Sequence, residues 1–412
     1  MRLHLLAVNP TDSVTEGFLP AAARLGLAVT VVTDQPAAHE RAYAQYAAAG
    51  GRLPALDYLA ADVGDFREVI ATIAAGGRPT ALFSNSDHLQ AQTALAADFF
   101  GLPGKDWRAA LRTKNKAELR RALADAGLDA VRSAEIGPGR NGEDPADVAE
   151  AVRQANPPYP CVVKPREGVA SEDVALVANE AELVARCAEI RARRPGVALV
   201  AEEFLAGPLH TLETLGDGRT LHTVAAFHTE LSPPPYFIEQ RLRLLTGPPP
   251  YADQVLAQLE ALGVGFGACH TEYVVQGERA RIIEVNYRAI GDQCDLALAD
   301  VLGIPLFEHI LRTHLGQPLP ASLGARLGGR ARMEYVTADR AGTLIAAPRA
   351  SDEVHAGVRL VYRPLREIGT HRPLHHTNRD FLGVLRATGG DERAVAAAVA
   401  RFLAAHTWEI RP

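Results

Sequence analysis

The sequence predicts an α/β fold in three parts: an N-terminal domain on an open parallel sheet (1–105), a central region with a small α+β subdomain (106–316), and a C-terminal α+β lobe (317–412). Three observations predict it. Short apolar runs alternate with helical segments over 1–105, which is the rhythm of β-α-β units. A buried-looking strand, a small-residue loop and a second strand follow at 161–177. After a QPLP turn near residue 317, several strand-like runs lead into one Ala-rich helix.

In the first part, 3–8 and 28–33 read as strands around a helix at 16–26. The segment 79–87 reads as a strand ending in the polar tip Ser84-Asn85-Ser86-Asp87. The carboxyl ends of such strands collect ligands, but the simpler reading is that Asp87 caps the helix 88–101, which Gly101 closes. Next, 112–128 reads as one helix with an apolar stripe of Leu119, Leu123 and Leu128. Then come a loop at 137–145 and a helix at 146–155, and the Asn156-Pro157-Pro158-Tyr159-Pro160 breaker precedes the strand at 161. The C-terminal part offers strands in RARMEYV, VRLVY and GVLRAT and a helix at 391–405.

Composition bounds the function. A net charge of −6 lacks the basic field of a general nucleic-acid binder. No run of about 18 apolar residues offers a membrane span. The opening MRLHLLAVNP is broken too early by Asn9-Pro10 for a signal peptide. Cys161, Cys187, Cys269 and Cys294 lack disulfide or metal spacing, as expected of buried thiols in a cytoplasmic protein. Only four lysines, Lys105, Lys114, Lys116 and Lys164, stand among 43 basic residues. Lysine is a compact point charge suited to one phosphate oxygen, whereas arginine is a planar fork. Three of the four lie in segments that suit phosphate, and Lys105 does not.

Three segments carry chemistry. Cys161–Val177 delivers Lys164 at a strand end, followed by Pro165 and a loop with Gly168, Ala170 and Ser171, where backbone N–H groups can approach an anion. Val200–Gly207 is a strand with Glu202 and Glu203 followed by Phe204 and Leu205, suited to an aromatic ring's edge and faces. The third is a hairpin turning at Gly277. Glu284 and Asn286 are two apart on one strand and share a face, and the hairpin brings Glu272 alongside. Two carboxylates and a carboxamide make an all-oxygen site suited to Mg²⁺ rather than Zn²⁺. Arg288 shares that face and could neutralise a transferring phosphoryl group or a carboxylate. His210, His228 and His270 read as structural. Arg241 and Arg243 could equally bind a second carboxylate or be solvated charge.

The order Asn115-Lys116, Arg120, Val163-Lys164-Pro165, Glu202-Glu203-Phe204-Leu205, Glu272 and Glu284-Val285-Asn286 resembles the ATP-grasp superfamily, in its carboxylate–amine ligase branch with the L-amino-acid ligases. The resemblance implies the ATP-grasp fold and an ATP-dependent ligase that forms an amide through an acyl phosphate, releasing ADP and phosphate. It implies that Lys116 and Lys164 bind ATP phosphates and that the loop with Gly168 and Ser171 closes over them. Glu202, Glu203, Phe204 and Leu205 would line the nucleotide pocket. Glu272, Glu284 and Asn286 would hold two Mg²⁺ ions, for which Mn²⁺ can substitute, and Arg288 would face the acyl phosphate. The segment from Gly369-Thr370 to Asp380–Val384 would help close the site. The implied partners are a small carboxylate and an amine, with no nucleic acid and no membrane; a homodimer is compatible.

The sequence departs from the pattern in places. The phosphate loop is poor in glycine and carries Glu167, Glu172 and Asp173. Leu209 follows Gly207-Pro208 where an acid for the ribose is common, leaving Glu203 or Glu213 as substitutes. Tyr287 stands where Pro is common, and Gly291-Asp292 where two glycines are usual. The Tyr287–Asp292 variant resembles ligases of vibrioferrin-type siderophore biosynthesis. The alternatives are an ATP-grasp carboxylase or other phosphoryl-transfer member, and a non-catalytic nucleotide-binding regulator. The full Glu272, Glu284 and Asn286 set argues against the regulator.

Overall fold

The computed structural model describes residues 1–128, 131–140, 144–323 and 328–412; residues 141–143 of the expected loop lie outside these. The strands Leu56–Ala60, Ala28–Thr33, Arg2–Leu6 and Ala81–Phe83 form, in that spatial order, an all-parallel sheet. Leu3, Leu5, Leu6, Val29, Val31 and Val32 are all buried, the continuous apolar run of strands covered on both faces. The helix expected at 16–26 is a π-helical turn, Ser13–Phe18, running into Leu19–Arg24. Gly17 is required there: a Cβ would lie 2.4 Å from the Phe307 ring.

Two sequence expectations need correction. Asp87 does not cap a helix. It sits inside a 3-10 turn, Asp87–Leu89, ahead of the helix Gln90–Phe100, and its carboxylate pairs with Lys114. The single helix expected at 112–128 is two, Trp107–Lys114 and Lys116–Asp125. Asn115 breaks it. Its backbone is extended (φ −91°, ψ 105°) and its side chain accepts from the N–H groups of Ala117 and Glu118. A short amide side chain competes better as a cap than as a helix interior residue. Lys116 thereby becomes the first residue of a helix, and its N–H donates to the Arg166 carbonyl.

The small subdomain is a four-stranded antiparallel sheet ordered Ser133–Ile136, Leu199–Glu203, Cys161–Pro165, Ala175–Val177. The helices Pro145–Ala155 and Glu180–Arg193 cover one face around Cys161, Val163, Leu183, Cys187 and Ile190. A nine-stranded antiparallel sheet dominates the rest. It runs Arg279–Asn286, Phe266–Gln276, Leu209–Asp217, Leu221–Leu231, Glu239–Leu244, Arg330–Thr337, Phe381–Gly389, Val358–Pro364, Ser351–His355. The sheet therefore continues across the 316/317 boundary through the pairing of Arg241 with Glu334 and Leu242 with Met333. The last helix, Glu392–Ala405, starts at Asp391, whose side chain accepts from Ala394 N–H, and packs on this sheet through Val395, Val399 and Phe402. Among the described residues, no helix is long and apolar enough to cross a membrane.

Candidate active site

A cavity of about 490 Å³ lies between the small sheet and one face of the large one. Its floor follows from strand period and register. Glu284 faces Glu272, and Glu272 faces Thr211 on the next strand. Two residues on, and hence on the same face, Asn286 faces His270. All twelve residues singled out from the sequence line this one cavity: Lys116, Lys164, Gly168, Ser171, Glu202, Glu203, Phe204, Leu205, Glu272, Glu284, Asn286 and Arg288.

Each lysine has a carboxylate. Lys116 Nζ is 2.7 Å from Glu284 Oε1, and Lys164 Nζ is 2.7 Å from Glu202 Oε2. Glu202 also takes the Arg120 guanidinium in a two-pronged pair of 2.8 and 3.0 Å. Its carboxylate is thus the shared counter-ion of two cations. Burial would raise Glu202, but the charges of Arg120 and Lys164 outweigh it and hold the acid far below the carboxylate range. Burial outweighs the pull of Glu202 on Lys164 and lowers it. Lys116 is raised, because Glu284 outweighs its burial. Glu203 accepts from Arg281 at 2.7 Å and from the Arg132 N–H at 2.9 Å. Glu213 does not line the cavity and binds His270. Both carboxylates considered as ribose acids are thus engaged by protein groups.

Two of the three acids of the 166–173 loop are neutralised. Asp173 pairs with Arg193 and Arg194, at 2.6 and 3.2 Å, and Glu172 pairs with Arg379. Ala170 (φ 57°), Ser171 (φ 54°) and Asp173 (φ 59°) coil the loop through the left-handed region. It is tied down by Ser171 Oγ donating to the Phe237 carbonyl at 2.9 Å and by Asn378 N–H donating to the Ala170 carbonyl at 3.2 Å.

At the other end, Arg288 donates to the Ala289 carbonyl and pairs with no carboxylate among the described residues. Asn85 of the N-terminal tip accepts from Ala289 N–H at 3.1 Å, which docks that tip against the cavity rim. Lys114 pairs with Asp87 and does not line the cavity, so two of the four lysines do. Lys105 is buried, bonded to Gln90 at 2.6 Å and to the Tyr287 carbonyl, and lies 4.4 Å from the Tyr287 ring centroid; burial pushes it down to about 7. Asp292 (φ 53°) and Gln293 (φ 73°) are consecutive left-handed residues. Each carries a steric cost of about 1–2 kcal/mol that glycine avoids. Arg241 and Arg243 are not open to a ligand. Arg241 grips Glu334 and Glu230, Arg243 reaches Glu230 and Glu392, and neither lines the cavity.

Other lining residues are not among these twelve. His270 stands between two carboxylates, 2.8 Å from Glu213 and 3.5 Å from Glu272. Burial lowers it, but the two acids outweigh that and push it up to about 10. Glu239 is pushed up to about 8 by burial and by the charges of Glu272 and Asp292. Asn378 and Arg379 come from the C-terminal part.

No protein-family model and no curated protein sequence matches the chain. Solved structures do. The chain is similar to an L-amino acid ligase from Bacillus licheniformis, with a TM-score of 0.76 and 19% identity over 100% of this chain and 99% of that one. A phosphoribosylglycinamide synthetase from Anaerococcus prevotii gives 0.70 and 14% over 100% and 99%. The biotin carboxylase domain of a Hydrogenobacter thermophilus 2-oxoglutarate carboxylase, solved with MgADP and bicarbonate, gives 0.67 and 16% over 99% and 90%. At these identities the likeness is one of architecture, and it spans the chain: this protein has the ATP-grasp fold.

Proposed function

We propose that the protein is an ATP-dependent carboxylate–amine ligase. The observation that carries this is the hairpin: Glu272 and Glu284 face each other, and beside them the side-chain amide of Asn286, only 7% exposed, has no hydrogen-bond partner among the described residues. A polar side chain that lines a cavity and has no partner among the described residues is open to a ligand there. Among those residues no three His, Cys, Asp or Glu side chains converge into a metal cage. The set fits Mg²⁺, which keeps part of its shell for phosphate oxygens and water. Glu272, Glu284 and Asn286 would hold two such ions, or Mn²⁺, and these would supply charge neutralisation at the phosphates when bound.

In this reading, residues 106–316 bind nucleotide and metal, and 1–105 and 317–412 flank them. Phe204 and Leu205 border the adenine, and Lys116 and Lys164 bind phosphate oxygens. The coiled 166–173 loop covers them and excludes water. A substrate carboxylate oxygen attacks the γ-phosphorus and the bond to the ADP oxygen breaks, giving an acyl phosphate and ADP. The amine nitrogen then attacks the acyl carbon, phosphate leaves, and the nitrogen loses a proton. Arg288, paired with no carboxylate among the described residues, stabilises the charge on the transferring group. The protein supplies alignment and electrostatics. The ligase and synthetase among the structural neighbours support this reading, and the carboxylase keeps bicarbonate in the test. Arg288, the cation at this end that pairs with no carboxylate among the described residues, suits an acyl donor's carboxylate, of the carboxylate-siderophore type.

The test is nucleotide turnover over a panel of carboxylates, amines and bicarbonate. We expect ADP and phosphate in step with amide; AMP formed in step with amide excludes the mechanism. Lys164→Ala is expected to weaken ATP binding by at least about tenfold, the scale of one charge-assisted hydrogen bond. Unchanged calorimetric affinity in a folded variant removes Lys164 from the phosphate site.

A further inference from the structure

Two buried groups serve no step of this chemistry. Glu213, 5% exposed, lies on Leu209–Asp217, and His270, 7% exposed, is its cross-strand partner on Phe266–Gln276. His270 Nδ1 is 2.8 Å from Glu213 Oε1, and the same oxygen accepts from the Thr211 hydroxyl at 2.8 Å. The other ring nitrogen, Nε2, is 3.5 Å from Glu272 Oε1. A row thus runs Thr211, Glu213, His270, Glu272, in which Glu213 is the member that does not line the cavity. Among the described residues the His270 ring is the one side chain that pairs with Glu272, at ion-pair distance, so the orientation of Glu272 is only as fixed as the ring beside it. The ring in turn is fixed by the acceptor on its far nitrogen. A carboxylate that orients a histidine, which orients a ligand, tunes a metal site without touching the ion.

We infer that Glu213 is a positioning residue for the cation site: acting through His270, it holds one oxygen of Glu272 in place and leaves the other for the ion. The inference rests on reading Glu272 as a metal ligand. A purely structural row makes a different prediction, in which loss of Glu213 changes the melting temperature and leaves metal affinity alone.

The experiment titrates Mn²⁺ into the full chain with ADP present, reading free Mn²⁺ by electron paramagnetic resonance, alongside thermal unfolding and calorimetry of ADP without metal. Glu213→Leu is expected to lower Mn²⁺ affinity by roughly tenfold to a hundredfold, with metal-free ADP affinity unchanged. Glu213→Gln keeps an oxygen acceptor for the ring N–H and is expected to restore most of it. Parent-like Mn²⁺ affinity in folded Glu213→Leu overturns the inference. Equal loss in both variants assigns the effect to charge and overturns the positioning role. Should Glu213→Leu fail to fold, His270→Gln carries the test: it removes the bridging ring, the same fall is expected, and parent-like affinity again overturns it. A parent that binds no Mn²⁺ beside ADP sinks the metal reading itself, and this inference with it.

Discussion

Glu284→Gln is expected to abolish substrate-dependent ADP release while the protein melts close to the parent temperature. The change keeps size and a hydrogen-bond acceptor but removes one charge from the proposed cation site, and a hard ion binds anionic oxygen far better than an amide. The structure sharpens this: the cation beside Glu284 is Lys116, at 2.7 Å, and not Arg288. On the proposed reading the substitution thus weakens the metal site and unbalances the lysine assigned to phosphate. A loss of about 10²–10³-fold or more is the scale for removing one preorganised electrostatic group. Thermal unfolding and ADP release over a range of Mg²⁺ concentrations check it. If the carboxylate is only structural, the variant unfolds about 3–5 kcal/mol more easily, the scale of a broken buried pair, yet keeps near-parent activity when cold.

Glu202→Gln is expected to have the largest effect on stability. Glu202 is 4% exposed and is the shared counter-ion of Arg120 and Lys164, which are 6% and 5% exposed. Removing its charge leaves two buried cations uncompensated, at a cost of about 3–5 kcal/mol. The pH dependence follows from its depressed acidity in the folded state. The unfolded state, with a value near 4.5, binds the proton more readily. The Glu202 contribution is therefore full above about pH 4.5 and is lost as pH falls below it towards the folded value. Urea denaturation at neutral pH and at progressively more acidic pH should show parent and variant far apart at first and converging as the medium turns acid. A constant gap would mean that Glu202 is not the ionised hub of this triad.

The part of the site legible in the sequence is the part made by local geometry. Strand period two puts Glu284 and Asn286 on one face, and the turn at Gly277 fixes which strand returns beside them. Lys164 stands where a strand ends at a proline. The Asn115 break also has a local signal, an Asn followed three residues later by Glu118, the spacing of a capping box. The rest depends on strand order. Whether Leu209–Asp217 or another strand lies against Phe266–Gln276, and in what register, cannot be read from either segment alone. That choice makes Glu213 the partner of His270. The neutralising of Asp173 by Arg193 and Arg194 likewise depends on how a helix twenty residues away lies over the loop. The boundary near 317 looked like a lobe edge because a QPLP turn ends one pattern, yet backbone pairing resumes beyond it in the same sheet.

The four lysines have a consequence for surface chemistry. Lys105, Lys116 and Lys164 are 8%, 5% and 5% exposed, and the Lys114 side chain, tied to Asp87, is 21% exposed. Apart from the amino group of Met1, the remaining permanent positive charge of the exterior is guanidinium, which ordinary acylating reagents leave alone. A folded molecule therefore offers almost no lysine ammonium to such a reagent, and any label that reaches Lys164 has entered the cavity that Lys164 lines. Acylation of that one residue, followed by mass spectrometry, becomes a clock for how often the cavity opens, and a bound nucleotide would slow it.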